Sequence, residues 1–225
     1  MRFGKHLGKG LWAFADKSLP AVYGVGFIFL VVRVLPEKEY GAFAVLQSVF
    51  TIVTALAFSL AQQPLTKFAA ETRENGAYIV AGFILNVLFF GLVSLAAVMF
   101  SGEFAALLDP ANSRIIEGML SFLPVLLAAA LIRGLTVSLL QADYQIQKIF
   151  WIDAAYFLGT MIMVYGASKM GRFNTATDLV HLNTIGLALS SAVGLVLTLG
   201  HLRVKLPFRR DAFIRMWDFG KYNVG

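Results

Sequence analysis

The feature that most constrains this chain is a pair of long apolar runs joined by a short polar turn. The first run covers about residues 11–34, the turn lies between Arg33 and Tyr40, and the second run follows immediately. At ~1.5 Å per residue, a helix over the first run is long enough to cross a hydrocarbon core of ~30 Å. The turn leaves room only for a reversal of direction, so this segment predicts a membrane hairpin.

The composition excludes a water-soluble domain. Hydrophobic residues make up 58% of the 225-residue chain and charged residues only 14%, with a mean hydropathy of +0.73, whereas soluble domains are about one quarter charged. The chain has no cysteine, which excludes a disulfide framework and a thiolate metal site. We expect no metal and no other cofactor.

The net charge of +6 is compatible with two kinds of anionic partner. Nucleic acid is one of them. Basic membrane proteins, however, carry their surplus of lysine and arginine in cytoplasmic loops and next to anionic lipid head groups. We therefore predict membrane lipids, and not nucleic acid, as the partner of this charge.

The hairpin pattern repeats along the chain and predicts six membrane-spanning helices. They cover about residues 11–34, 40–61, 77–100, 119–140, 149–168 and 179–202. Each meets the ~20-residue length of a spanning helix. The longest connection, residues 101–118, has room for one small surface helix and a turn at Asp109 and Pro110. The predicted fold class is therefore an all-α integral membrane protein whose residues 1–206 form a six-helix transmembrane lobe.

The distribution of lysine and arginine predicts the orientation. An N-terminus in the cytoplasm places thirteen of them inside, namely Arg2, Lys5, Lys9, Lys17, Lys67, Arg73, Lys148, Arg203, Lys205, Arg209, Arg210, Arg215 and Lys221. Five lie outside, namely Arg33, Lys38, Arg114, Lys169 and Arg172. Because cytoplasmic loops are enriched in these residues, we predict a multi-pass protein of the cytoplasmic (inner) membrane with a cytoplasmic N-terminus.

Residues 207–225 predict an amphipathic helix on the cytoplasmic surface. Phe213, Met216, Trp217 and Gly220 share one face of this helix, and the arginines lie elsewhere. The segment has the character of a linker that leads to a further membrane entry. We therefore expect the chain to be the front half of a longer transporter.

Small residues recur at four-residue spacing in two of the predicted spans. They are Gly186, Ser190, Gly194 and Thr198 in the sixth span, and Thr51, Ala55 and Ser59 in the second. Such stripes let helices approach closely in lipid, so both are predicted to be helix-packing surfaces. Pro20 and Pro124 each predict a lost helical hydrogen bond and a kink or hinge.

Three segments of the chain resemble one family of membrane proteins. They are the turn LPEKEYGAF at residues 35–43, the exit of the second span, SLAQQPLTKFAAE, at residues 59–71, and the link LLQADYQIQKIFWIDAAYFLGT at residues 139–160. Together they resemble the bacterial polysaccharide biosynthesis proteins, the oligosaccharide-lipid flippases of the multidrug/oligosaccharidyl-lipid/polysaccharide exporter superfamily.

This resemblance implies one lobe of a transporter with twelve to fourteen helices in two lobes around a central cavity. The implied substrate is a polyprenyl-diphosphate-linked oligosaccharide, moved from the cytoplasmic to the outer leaflet by alternating access. The implied partners are a second six-helix lobe, absent from this sequence, and other polysaccharide-assembly proteins.

Charged residues inside spans are the first candidates for the substrate site, because ionisable groups in a membrane usually face a cavity or a partner. Arg133 lies in the fourth predicted span and Asp153 in the fifth, both near the cytoplasmic end. Two interpretations are open. Either the two side chains neutralise each other between helices, or Arg133 faces the cavity and binds a phosphate oxygen, for which a guanidinium is well suited.

Six further residues are weaker candidates. They are Lys17, Arg33, Lys67, Gln63 and Asn86 for substrate binding, and Asp16, with Asp153, for ion pairing or coupling. Snorkelling to the inner interface is the default explanation of Lys17, and anchoring at lipid head groups is favoured over substrate contact for Arg33 and Lys67. The amides can bond sugar hydroxyls or neighbouring helices.

The sequence argues against an enzyme. His6, His181 and His201 are scattered, and no pair of carboxylates has the spacing that binds a sugar nucleotide through a metal. The first hypothesis is therefore an oligosaccharide-lipid flippase. The second is a cation-coupled multidrug antiporter of the same superfamily, which requires a buried acidic pocket, and the third is a membrane enzyme or scaffold of polysaccharide assembly.

Overall fold

A computed structural model describes residues 3–72, 76–200 and 207–223. The described residues form helices and turns only. The helices are α1 Phe3–Val32, α2 Glu37–Glu71, α3 Gly76–Met99, α4 Ser101–Leu108, α5 Ser113–Leu120, α6 Leu123–Ala142, α7 Ile146–Lys169, α8 Ala176–Thr198 and α9 Arg210–Asn223. Six of them, α1 from Gly10 together with α2, α3, α6, α7 and α8, are long and apolar enough to cross a membrane. The predicted fold class is confirmed: the protein is an all-α membrane protein.

The six long helices alternate in direction between two surfaces. We call the surface where α1 begins the proximal surface and the opposite one the distal surface. The short helices α4 and α5 lie on the distal side with the α1–α2 and α7–α8 turns, and α9 packs on the proximal ends of α2 and α3. Many large apolar side chains are exposed between the two surfaces, among them Leu92 at 68% and Ile162 at 71%, as expected of side chains that face lipid.

Helix α8 is the centre of the bundle because it packs on both α6 and α7. Its predicted stripe of small residues is buried along its whole length, which confirms that part of the prediction. Two hydroxyl groups, one in the stripe and one next to it, bond across the interfaces. Ser191 Oγ donates to the carbonyl of Ala129 on α6 at 2.7 Å, and Ser190 Oγ donates to that of Ile152 on α7 at 2.8 Å.

The second predicted stripe does not pack in this way. Thr51 and Ala55 of α2 are exposed, and only Ser59 is partly covered. The prediction of a packing surface on α2 is therefore wrong within the described part of the chain. Spacing identifies a smooth face, but it cannot identify what lies against that face.

The ends of two spans differ from the predicted positions. Helix α2 continues ten residues beyond the predicted end at Ala61 and reaches Glu71, through a π-helical turn at Phe58–Gln62. Buried Leu65 and Ala69 pack its extension against neighbouring helices, so the extension is helical although it is polar. The predicted end of the sixth span at residue 202 lies outside the described residues.

The fourth span begins at Leu123 because Met119 belongs to α5. Pro124 lies in the first turn of α6, where a backbone N–H has no helical partner in any case, so the prediction that it breaks this helix is wrong. The connection before it holds two short α-helices and not one, with the 3₁₀ turn Pro110–Asn112 between them. Between them, Asp109 accepts a hydrogen bond from the backbone of Ala111 at 3.0 Å.

The C-terminal helix α9 packs on the bundle through a narrow face. Ala212, Met216 and Gly220 are buried against α2 and α3. Phe213 is partly buried, but Trp217 is 46% exposed, so the predicted apolar face is rotated toward Ala212. At Gly220 the absence of a side chain allows α9 to touch the backbone of α2.

We expect Gly220→Ala to loosen α9. A Cβ atom at this position would collide with the backbone carbonyl of Leu60, which lies inside the π-helical turn and cannot move aside as a flexible side chain does. The overpacking costs about 1–3 kcal/mol, and hydrogen exchange of the α9 amides should rise accordingly. Gly118→Ala is the matched control because nothing lies within 4 Å of a Cβ there. Equal exchange in the two variants would contradict this account of α9.

Candidate functional site

Three ionisable side chains meet inside the membrane region, one each from α1, α6 and α7. Arg133 of α6 donates to the carboxylate of Asp153 on α7 in an ion pair. The two side chains are 26% and 15% exposed, so the pair is largely covered but still open on one side. The pairing agrees with the first of the two interpretations that the sequence left open, and it does not exclude the second.

Asp16 of α1 is the third member and is the most buried of the three, at 6% exposure. It interacts electrostatically with both Asp153 and Arg133. Its Oδ2 lies 3.8 Å from Lys17 Nζ, but the Lys17 side chain is 84% exposed and extends to the surface. We call Asp16, Arg133 and Asp153 the charge cluster; it contains two carboxylates and one guanidinium.

Two atoms of the charge cluster have unused hydrogen-bonding capacity. Arg133 Nε and Asp16 Oδ1 are both buried, and within the described part of the chain neither has a hydrogen-bond partner. A buried polar atom without a partner costs about 1–3 kcal/mol, and more if it is charged. The free donor suits an anion, and the free acceptor suits a proton or a cation.

Polar groups extend the charge cluster toward α8. Tyr156 follows Asp153 by three residues on α7 and therefore lies on the same face of the helix. Its ring centroid is 5.6 Å from the guanidinium carbon of Arg133, and its hydroxyl donates to Oδ1 of Asn183 on α8 at 2.7 Å. Sequence reasoning missed both residues, although the spacing from Asp153 was a signal for Tyr156.

The π-helical turn of α2 contacts α6, the helix that carries Arg133. The side chain of Gln62 approaches α6 at Gly134, where its Oε1 is 2.8 Å from the position that a Cβ would occupy. Gly134 is the neighbour of Arg133 in the sequence. Because π-helical turns are frequent at functional sites, the contact connects an irregular segment of α2 with the helix that carries the arginine.

The other predicted substrate-binding residues lie apart from the charge cluster. Lys67 is on the proximal surface, with its Nζ 4.2 Å from the ring centroid of Phe219 on α9. Gln63 is exposed on α2. Asn86 is completely buried on α3 and donates to the carbonyl of Gly82 at 2.8 Å. Arg33 lies at the distal end of α1, where it lines a cleft with residues of α7.

Among the described residues, no three or more histidine, aspartate or glutamate side chains form a group that could hold a metal ion. Comparison of the chain with protein-family models, with curated proteins and with solved structures finds no match. The charge cluster is therefore the feature of the described chain from which a function can be inferred, together with the three segments that resemble the flippase family.

Proposed function

We propose that this chain forms one lobe of an alternating-access transporter that flips polyprenyl-diphosphate-linked oligosaccharides across the cytoplasmic membrane. In this proposal the N-terminus and the proximal surface are cytoplasmic, and a second six-helix lobe completes the passage. The observation that carries the proposal is the charge cluster, because a buried guanidinium with a free donor can bind a diphosphate inside the membrane region.

The physical problem of such a transporter is to move a diphosphate through a medium that rejects charge. An ionisable group in a membrane is expensive and is retained where it has a function or a partner. Arg133 has a partner in Asp153, yet its Nε is unused and one side of its side chain is open. A phosphate oxygen can use the free Nε–H and replace Asp153 on the outer nitrogens, in the two-point geometry that guanidinium groups favour.

The two carboxylates provide coupling to a cation. When the diphosphate displaces Asp153 from Arg133, the charge cluster contains two carboxylates without their shared counter-ion. A proton or a monovalent cation between Asp16 and Asp153 removes that imbalance, so the diphosphate and the cation favour each other's binding. The membrane potential then acts on the bound cation at ~2.3 kcal/mol per charge per 100 mV.

Deletion of the gene in its host tests the function. We expect lipid-linked oligosaccharide to accumulate on the cytoplasmic leaflet and surface polysaccharide to fall, with both restored by a plasmid copy of the gene. The leaflet is measured by access of an added glycosidase in intact and in inverted membrane vesicles. Normal surface polysaccharide in the deletion strain would contradict the flippase assignment.

The charge cluster contains two carboxylates but only one guanidinium. This surplus of negative charge also favours a second candidate, a cation-coupled multidrug antiporter. In that case a cationic drug and a cation would compete for Asp16 and Asp153. The same deletion strain distinguishes the two functions. An antiporter predicts increased sensitivity to cationic drugs with normal surface polysaccharide, and a flippase predicts the reverse.

A further inference from the structure

A cleft lies between α1 and α7 near the distal surface, away from the charge cluster. Its volume is about 430 Å³, and it is lined by Gly26, Phe29, Leu30, Arg33, Met161, Ile162 and Tyr165. Gly26 forms the narrow part, because a Cβ there would lie 2.7 Å from the methyl group of Met161. The two helices therefore approach closely at Gly26 and border the open cleft beside the next turn of α1.

The walls of this cleft are apolar and face the membrane. Phe29 is 65% exposed and Ile162 is 71% exposed, within two helices that are long enough to span the bilayer. Side chains with this exposure in a membrane contact hydrocarbon chains. The walls are therefore suited to the tail of a lipid.

The distal end of the cleft carries positive charge. Arg33 follows the last residue of α1 and forms no ion pair with any described residue. Lys169, at the end of α7, places its Nζ 5.6 Å from the ring centroid of Tyr165. The carboxylate of Glu39, which lies on the same surface, accepts a hydrogen bond from the backbone N–H of Ala176 at 2.7 Å and is thereby held by α8.

We propose that this cleft binds a lipid with an anionic phosphate head group, with the phosphate on Arg33 and the chain along Phe29 and Ile162. A guanidinium at the membrane surface pairs well with phosphate, and the apolar walls continue directly from it toward the membrane interior. Two lipids share this chemistry: the polyprenyl phosphate carrier and an anionic phospholipid. Binding of the polyprenyl phosphate carrier rests on the proposed function, whereas binding of an anionic phospholipid does not.

The test counts lipids that remain bound to the purified protein in detergent micelles by native mass spectrometry. Polyprenyl monophosphate, phosphatidylglycerol and zwitterionic phosphatidylcholine are added separately. We expect Arg33→Gln to weaken binding of both anionic lipids about tenfold, which is the loss of one charge-assisted hydrogen bond. Lys38→Gln removes the same charge from the distal surface outside the cleft and should leave binding unchanged. Arg33→Lys should recover part of the loss.

The outcomes distinguish the two lipids from each other and from a general effect of surface charge. A preference of the wild type for polyprenyl monophosphate over phosphatidylglycerol, with binding of both lipids weakened in Arg33→Gln, supports carrier binding. Equal binding of the two lipids in the wild type supports a phospholipid site. Equal loss in Arg33→Gln and Lys38→Gln would overturn the proposal, because general surface charge would then explain the binding. Unchanged binding in Arg33→Gln would overturn it as well. A flippase assignment that fails in the deletion strain leaves the phospholipid result standing.

Discussion

Replacing Arg133 by alanine is expected to abolish transport. If the guanidinium makes two charge-assisted hydrogen bonds to the diphosphate, their loss is worth roughly 3 kcal/mol or more, which lowers transport about a hundredfold. Arg133→Lys keeps the charge but not the two-point geometry and should be partly active. The measurement is translocation of lipid-linked oligosaccharide in the complemented deletion strain, with protein levels determined by immunoblot.

Loss of the fold is the competing explanation for an inactive Arg133→Ala. Removing one partner of a largely covered ion pair leaves Asp153 without its counter-ion, which typically costs about 3–5 kcal/mol. The double variant Arg133→Met, Asp153→Leu removes both charges and keeps the volume, and such replacements of buried pairs are often neutral for stability. We therefore expect the double variant to be as stable as the wild type and still unable to transport.

Arg114→Ala is the control for transport, since this arginine is exposed on α5 at the distal surface, away from the charge cluster. It should transport normally. Wild-type transport by the double variant would show that the ion pair only holds α6 to α7. The first interpretation of the sequence, mutual neutralisation, would then be sufficient.

The sequence predicted the number and order of the spans because a bilayer imposes a minimum apolar length on every crossing. It did not predict where helices stop. Helix α2 continues to Glu71 through polar residues because Leu65 and Ala69 find neighbours there. Such neighbours come from distant parts of the chain, so hydropathy along one segment cannot reveal them. The prediction for Pro124 was wrong for a related reason. The effect of a proline depends on its position within the helix, and hydropathy did not show where α6 begins.

The candidate site was predicted in part. Arg133 and Asp153 are joined by a short hairpin, so their proximity follows from local sequence. Asp16 joins them only because α1 packs on α7, which is a choice among several possible helix pairs. Lys67 shows the opposite case, because the α9 aromatic ring that it faces lies about 150 residues away along the chain. Charge alone could not show that Asp16 belongs to the charge cluster and that Lys67 does not.

A close approach of α7 and α8 leads to a second prediction, which concerns stability. Gly186 of α8 faces Thr160 of α7, whose Cβ would lie 3.2 Å from a Cβ at position 186 and whose hydroxyl would lie closer still. Thr160 is completely buried, so it cannot turn away into lipid. Gly186→Leu should therefore separate α7 from α8 and lower the free energy of unfolding by about 3 kcal/mol, the upper part of the usual range for overpacking.

The measurement is the thermal unfolding midpoint in detergent, with Gly91→Leu as the matched control. Nothing lies within 4 Å of a Cβ at Gly91, which is exposed on α3, so the control should unfold like the wild type. A pair of compensating substitutions tests the contact between positions 160 and 186 directly. Gly186→Ala should be destabilising, and adding Thr160→Ala should restore part of the stability. The second substitution removes the hydroxyl oxygen that the new methyl group meets most closely, a buried oxygen that has no hydrogen-bond partner in the described chain. If the effects of the two alanine substitutions are simply additive, the contact between positions 160 and 186 does not limit how closely α7 and α8 approach.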